Sequence, residues 1–205
     1  MSRALLALLA TLAGCVPTCD GAAVVARAKA GEVVALHELG ELGDPMVPSN
    51  SRPDPTPLTA FTTLIPFLQD PDPTRRLTAL EGLRRLAQRF PSMQRDSYAD
   101  LFDISLADPE PEIRWRACWA LGRLKCTRRG LGEATRDPVA RVAERACWAL
   151  GECEERRGVP RLIEALEREP LVRDAACAAL EAITRAGHGR DVEAWRTWWA
   201  SARKR

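Results

Sequence analysis

The heptapeptide Arg-Ala-Cys-Trp-Ala-Leu-Gly occurs twice without change, at 116–122 and 145–151, an offset of 29 residues. A period of that length holds about two short helices, and one such unit cannot bury its own apolar stripe. Units of this kind must therefore stack. Asp108-Pro109 precedes the first copy and Asp137-Pro138 the second. A looser copy runs from Val172 to Leu180, and another runs from Arg75 to Leu83 behind Asp70-Pro71-Asp72-Pro73. Leu83, Leu121, Leu150 and Leu180 then share one column, with spacings of 38, 29 and 30 residues.

Each unit reads as helix, turn, helix. Asp beside Pro offers a capping oxygen next to a residue suited to a first helical turn. In the unit that begins at Asp108, the positions Ile113, Ala117, Cys118, Ala120, Leu121 and Leu124 fall on one face of a 3.6-residue helix. Composition agrees. Ala, Leu, Arg and Glu dominate, all good helix formers, while aromatics make up 5% and no alternating Val/Ile/Thr runs occur. An all-α domain follows. The formal net charge of +2 gives no general case for nucleic-acid binding.

The pattern DP-x-x-x-[VI]-R-x-x-[AC]-x-A-L-G-x-L resembles the HEAT repeat, in the short version named after phycobilisome lyases. Gly158-Val159-Pro160-Arg161-Leu162-Ile163-Glu164-Ala165-Leu166 is similar to the first helix of such a unit. The resemblance implies an α-α superhelix with about four repeats over 58–187. Three departures stand out. Ala143 replaces the Arg found at Arg76, Arg114 and Arg173; the segment Glu167 to Pro170 replaces Asp-Pro; and the spacing of 38 implies extra residues around Phe90 to Ser97. A repeat of this kind says much about fold and little about function.

Residues 1–14 place one Arg before about ten apolar residues that end in small ones, the shape of a secretory signal and too short for an ordinary span. Leu12-Ala13-Gly14-Cys15 resembles the lipobox of bacterial lipoproteins. The resemblance implies cleavage before Cys15, lipidation of its thiol, and a place in a bacterial cell envelope. Val16, in the place of an Asp, implies the outer membrane rather than the inner. Residues 15–57 then read as a lipidated segment. Its Leu36, Leu39, Gly40 and Leu42 look like the tail of a degenerate extra unit, and prolines follow at 45, 48, 53, 55 and 57. Residues 188–205 read as a capping helix, with Asp191 at its start and Val192, Trp195, Trp198 and Trp199 on one face.

No catalytic constellation emerges. The sequence has two histidines, His37 and His188, and no phosphate loop, nucleophile elbow or CxxC. The expectation is a protein that is not an enzyme, with no metal and no cofactor. Cys118, Cys147 and Cys177 share a buried column and read as small core residues. Cys126 and Cys153 lie near one repeat end, where a disulfide is an open alternative. Trp115, Arg116, Trp119 and Arg123 point away from the core stripe, and the next unit puts Arg145, Trp148 and Glu152 on the same side. Trp and Arg are enriched at interface hot spots, so these seven are the candidate protein-binding residues. The alternative is that some part of the chain, such as the Pro-rich segment, covers them. The reading is a monomeric, membrane-anchored scaffold with an unidentified protein partner and no nucleic acid. The rival is an accessory or lyase-like subunit, as in the bilin lyases that share the repeat.

Overall fold

A computed structural model describes residues 21–41, 56–92 and 95–202. Residues 1–14, expected as a signal segment, Cys15 and most of the Pro-rich stretch lie outside them. Among the described residues there are eleven α-helices and no strand. The helices are α1 (Gly21–Lys29), α2 (Val33–Glu41), α3 (Pro57–Leu64), α4 (Pro73–Arg89), α5 (Arg95–Ser105), α6 (Pro111–Leu124), α7 (Arg129–Ala134), α8 (Ala140–Glu152), α9 (Val159–Ala165), α10 (Pro170–Thr184) and α11 (Val192–Ala202). Short 3₁₀ turns at Ile65–Gln69 and Arg156–Gly158 extend α3 and lead into α9.

The helices pair in sequence: α1 with α2, α3 with α4, α5 with α6, α7 with α8, and α9 with α10. The second members also pack on one another in order, α2 on α4, α4 on α6, α6 on α8, and α8 on α10. The α1/α2 pair takes its place at the head of this series, so the Leu36–Gly40 pattern belongs to a packed pair. The core between the layers holds the Leu column, with Leu83, Leu121, Leu150 and Leu180 each at most 1% exposed. Ile113, Ala117, Cys118, Ala120 and Leu121 are buried as their spacing predicts, and Leu124 is half-buried against the core. Glycines beside this column, Gly40, Gly82, Gly122 and Gly151, allow close approach. A Cβ on Gly122 would meet Trp148 at 2.6 Å, and one on Gly40 would meet the backbone of Gly82 at 2.7 Å.

The Asp-Pro turns do a different job from the helix caps expected of them. In the first unit Asp72 does cap α4, accepting from Thr74 N–H at 2.9 Å. Asp108 and Asp137 lie too early for that. Each folds its turn by accepting from the backbone N–H two residues on, Glu110 and Val139, both at 2.9 Å. Their carboxylates receive an Arg from the preceding unit: Arg76 donates to Asp108 at 2.8 and 3.1 Å, and Arg114 to Asp137 at 2.7 and 3.0 Å. The same two guanidiniums also donate to the carbonyls of their own turns. Where Ala143 breaks the pattern, Arg168 reaches back from the next turn to Thr135 O at 2.7 Å and Asp137 O at 2.8 Å. The lost ladder arginine is replaced from the other side.

The extra residues implied by the spacing of 38 do not sit in one loop near Phe90. They mostly lengthen helices: α4 has 17 residues against 14 in α6, and α5 has 11 against 6 in α7. At the far end α11 packs on α9. Asp191 caps it, and Trp195 is fully buried with its indole N–H on Gly189 O at 2.9 Å.

Candidate interaction surface

The register that builds the Leu column also aligns the side chains on the opposite side of the second helices. Glu81, Trp119 and Trp148 fall in one column, Arg116 and Arg145 in a second, and Arg85, Arg123 and Glu152 in a third. On α2, α4, α6 and α8 these columns become a continuous polar and aromatic strip.

Ion pairs cross the strip from helix to helix. His37 lies 3.4 Å from Glu41, and Glu41 pairs with Arg85. Arg85 lies 3.8 Å from Glu81, and Glu81 also holds Arg84 and, at 3.3 Å, Arg116. Arg116 reaches Glu112 at 3.0 Å, and Glu112 reaches Arg141 on α8 at 3.1 Å. Burial pushes the Glu81 carboxyl up, but its bonds to Arg84 and the charges of Arg84 and Arg116 outweigh that and leave it below its usual value.

The indoles are woven into this network. Arg84 lies 4.8 Å over Trp119. Arg141 and Arg145 lie 4.3 and 5.1 Å over Trp115, and Arg145 is also 5.0 Å from the Trp148 ring. Arg145 thus bridges an indole of α6 and one of its own helix, contacts of the cation–π kind. Among the described residues, arginines of a neighbouring helix lie over Trp119 and Trp115, and Arg145 of the same helix lies over Trp148. All three indoles are half-buried. Trp115 and Trp148 also pack on the core, whereas Trp119 does not join it. Trp115 Nε1 and Arg145 Nε are buried without a hydrogen-bond acceptor among the described residues. A groove of about 290 Å³ opens between α2 and α4, lined by His37, Gly40, Leu77, Thr78, Glu81, Gly82, Arg85 and Arg116.

The structure therefore brings together Trp115, Arg116, Trp119, Arg145 and Trp148. Arg123 is exposed at the end of α6 and Glu152 ends α8, and neither has an ion pair among the described residues. Glu41, Glu81, Arg84, Arg85, Glu112 and Arg141 were not singled out by sequence reasoning. The signal existed for four of them, since Glu81 and Arg85 occupy the columns of Trp119 and Arg123. Glu112 and Arg141 are also 29 residues apart and so share a column, in which opposite charges on α6 and α8 meet at 3.1 Å.

Cys118 and Cys147 are fully buried, and burial raises both thiols, Cys147 to about 12. Cys177 is half-buried, with its thiol 3.2 Å from Gly189 O. Cys126 and Cys153 are free thiols, each directed at a backbone carbonyl, Leu124 O at 3.5 Å and Leu121 O at 3.9 Å. Among the described residues no group of three or more His, Cys, Asp or Glu is placed to hold a metal ion. No described helix is long and apolar enough to cross a membrane.

No protein-family model matches the sequence, and no curated protein matches it. The structure is similar to a crystal structure of an engineered protein from the Northeast Structural Genomics Consortium, with a TM-score of 0.56 and 15% identity over 76% of this chain and 74% of that one. At that identity the likeness speaks for the fold alone.

Proposed function

We propose that the chain is a HEAT-type scaffold or adaptor. In this reading its helix pairs form an α-α superhelix, a lipid on Cys15 tethers it to the outer membrane of a bacterial envelope, and a protein partner docks on the strip across α2, α4, α6 and α8. The observation that carries the reading is the strip itself: ion pairs link α2, α4, α6 and α8 in turn, and three indoles on α6 and α8 lie under its arginines. Solenoids offer extended surfaces of this kind, and Trp and Arg supply most hot spots. Trp119 is the best-placed anchor, because it is held by Arg84 and not by the core. Two or more acyl chains would make the tether stable, where one is marginal.

The test is crosslinking and affinity capture from envelope membranes, with Trp119→Ala beside wild type. The expected result is loss of one defined partner while the melting temperature stays within about 4 °C, the shift of roughly 1 kcal/mol in a domain of this size. A Trp119→Ala protein that keeps every partner would remove the strip from the reading. Mass spectrometry of the membrane fraction should find Cys15 as an acylated N-terminus; an intact residue 1–14 segment would end the tether.

A further inference from the structure

The second helices run parallel. Arg76 and Arg114 meet the Asp-Pro turn of the next unit at their N-terminal ends. At the other end Cys153 reaches Leu121 O, and Arg185 lies 3.7 Å from Glu154. The molecule thus has two unlike edges. One carries the Asp-Pro turns. The other carries the links between units, after α4, α6, α8 and α10.

The link edge gathers cations that no carboxylate neutralises among the described residues. Arg89, Arg123, Lys125, Arg129, Arg156 and Arg157 are all exposed, and none has a carboxylate within ion-pair distance among the described residues. The acids nearby are mostly engaged: Asp96 and Asp100 with Arg128, Glu154 with Arg185, and Glu155 with the backbone N–H of Arg157. Among the described residues Glu152 and Glu155 have no ion pair there. Two grooves open along the edge, one lined by Arg123 and Lys125, the other by Arg129 and Arg157.

Helix stability explains part of this pattern. Arg123 and Lys125 sit at the negative end of α6, where a cation is favourable. Arg129 opens α7, and Arg156 and Arg157 lead into α9. Cations at those helix starts oppose the macrodipole, so a use outside the fold has to account for them.

The start of α1, Gly21, lies toward the same edge. Gly31, in the turn between α1 and α2, lies against Arg75 at the Asp-Pro edge. From that turn α1 extends back over nine residues, about 13 Å of helix, to Gly21. Cys15 is six residues further along the sequence.

We propose that the link edge is the face the protein turns toward an anionic phospholipid surface. The orientation rests on the tethered reading above. The lipid on Cys15 and the six unpaired cations then act on one side of the molecule, and each cation near such a surface strengthens binding about fivefold. The Asp-Pro edge would face away, and the strip across α2 to α8 would stand at the side, open to a partner.

The experiment uses the full chain with Cys15→Ser, so that no acyl chain contributes. Co-sedimentation compares vesicles of phosphatidylcholine with vesicles of phosphatidylcholine and phosphatidylglycerol, whose anionic headgroups supply the surface attraction. Residues 1–14 are common to every variant, so differences between variants report the cations. Expected are tighter, salt-sensitive binding to the anionic vesicles, a loss of about twenty-fivefold in Arg123→Gln/Lys125→Gln, and little change in Lys29→Gln/Arg136→Gln away from the edge. Equal binding to both vesicles, or equal losses in both double variants, would overturn the proposal. So would tighter binding to a single-stranded oligonucleotide than to the anionic vesicles. The tether is read separately by the mass of Cys15. An acylated chain with no preference for anionic vesicles defeats this inference alone, and an unacylated chain that keeps the preference defeats the tether alone.

Discussion

Arg114 is a single side chain that closes two turns at once. It holds its own Asp-Pro turn by the carbonyls of Asp108 and Pro109, and the next by the carboxylate of Asp137. The two side chains are only 13% and 7% exposed. Removing Arg114 would leave a buried carboxylate unpaired, so Arg114→Ala should cost about 3–5 kcal/mol in urea unfolding at pH 7. Burial pushes the Asp137 carboxyl up, but Arg114 and the Val139 N–H hold it below the usual value. Glu81 is depressed likewise. A carboxyl lowered in the folded state contributes stability above its unfolded pKa of about 4 and loses it as pH falls through the folded value. Stability should be level from pH 7 to 5 and decline below about pH 4, more steeply in wild type than in Arg114→Ala. An equal decline in both would show that the pair does not govern acid unfolding.

At the scale of the element, Gly40, Gly82, Gly122 and Gly151 set how near the second helices come. Ala normally stabilises a helix interior by about 1 kcal/mol over Gly. At Gly40 the added Cβ would lie 2.7 Å from the backbone of Gly82, which cannot rotate away. Gly40→Ala should therefore destabilise the protein by about 1–3 kcal/mol despite the better propensity. Gly132 is the internal comparison, since a Cβ there meets only the Arg161 side chain at 3.7 Å. Gly132→Ala should be neutral or stabilising in the same thermal melts. The helices themselves were legible from the period of the apolar positions. The function of Asp108 and Asp137 was not, because an Asp before Pro looks the same whether its carboxylate caps a helix or receives an arginine from another unit.

For the molecule as a whole, the series of packed pairs leaves an apolar end that α11 covers through α9. Trp195 is its buried anchor, set edge-on to His188 at 4.8 Å. Trp195→Ala should cost about 3–5 kcal/mol, measured by denaturant unfolding, and leave partner capture through the distant α2–α8 strip intact at temperatures where the variant is folded. Loss of capture in the folded variant would mean that the cap belongs to the binding surface. The repeat, the helix pairs and the Leu column follow from sequence alone, because each depends on spacing within about thirty residues and spacing is what a sequence records. Tertiary structure decided the rest. Arg168 stands in for the arginine missing at Ala143, Arg84, Arg141 and Arg145 cover indoles of other helices, and six cations from separate links meet on one edge. Each of these joins residues whose nearness arises only when the units stack in parallel, and no local pattern carries that information.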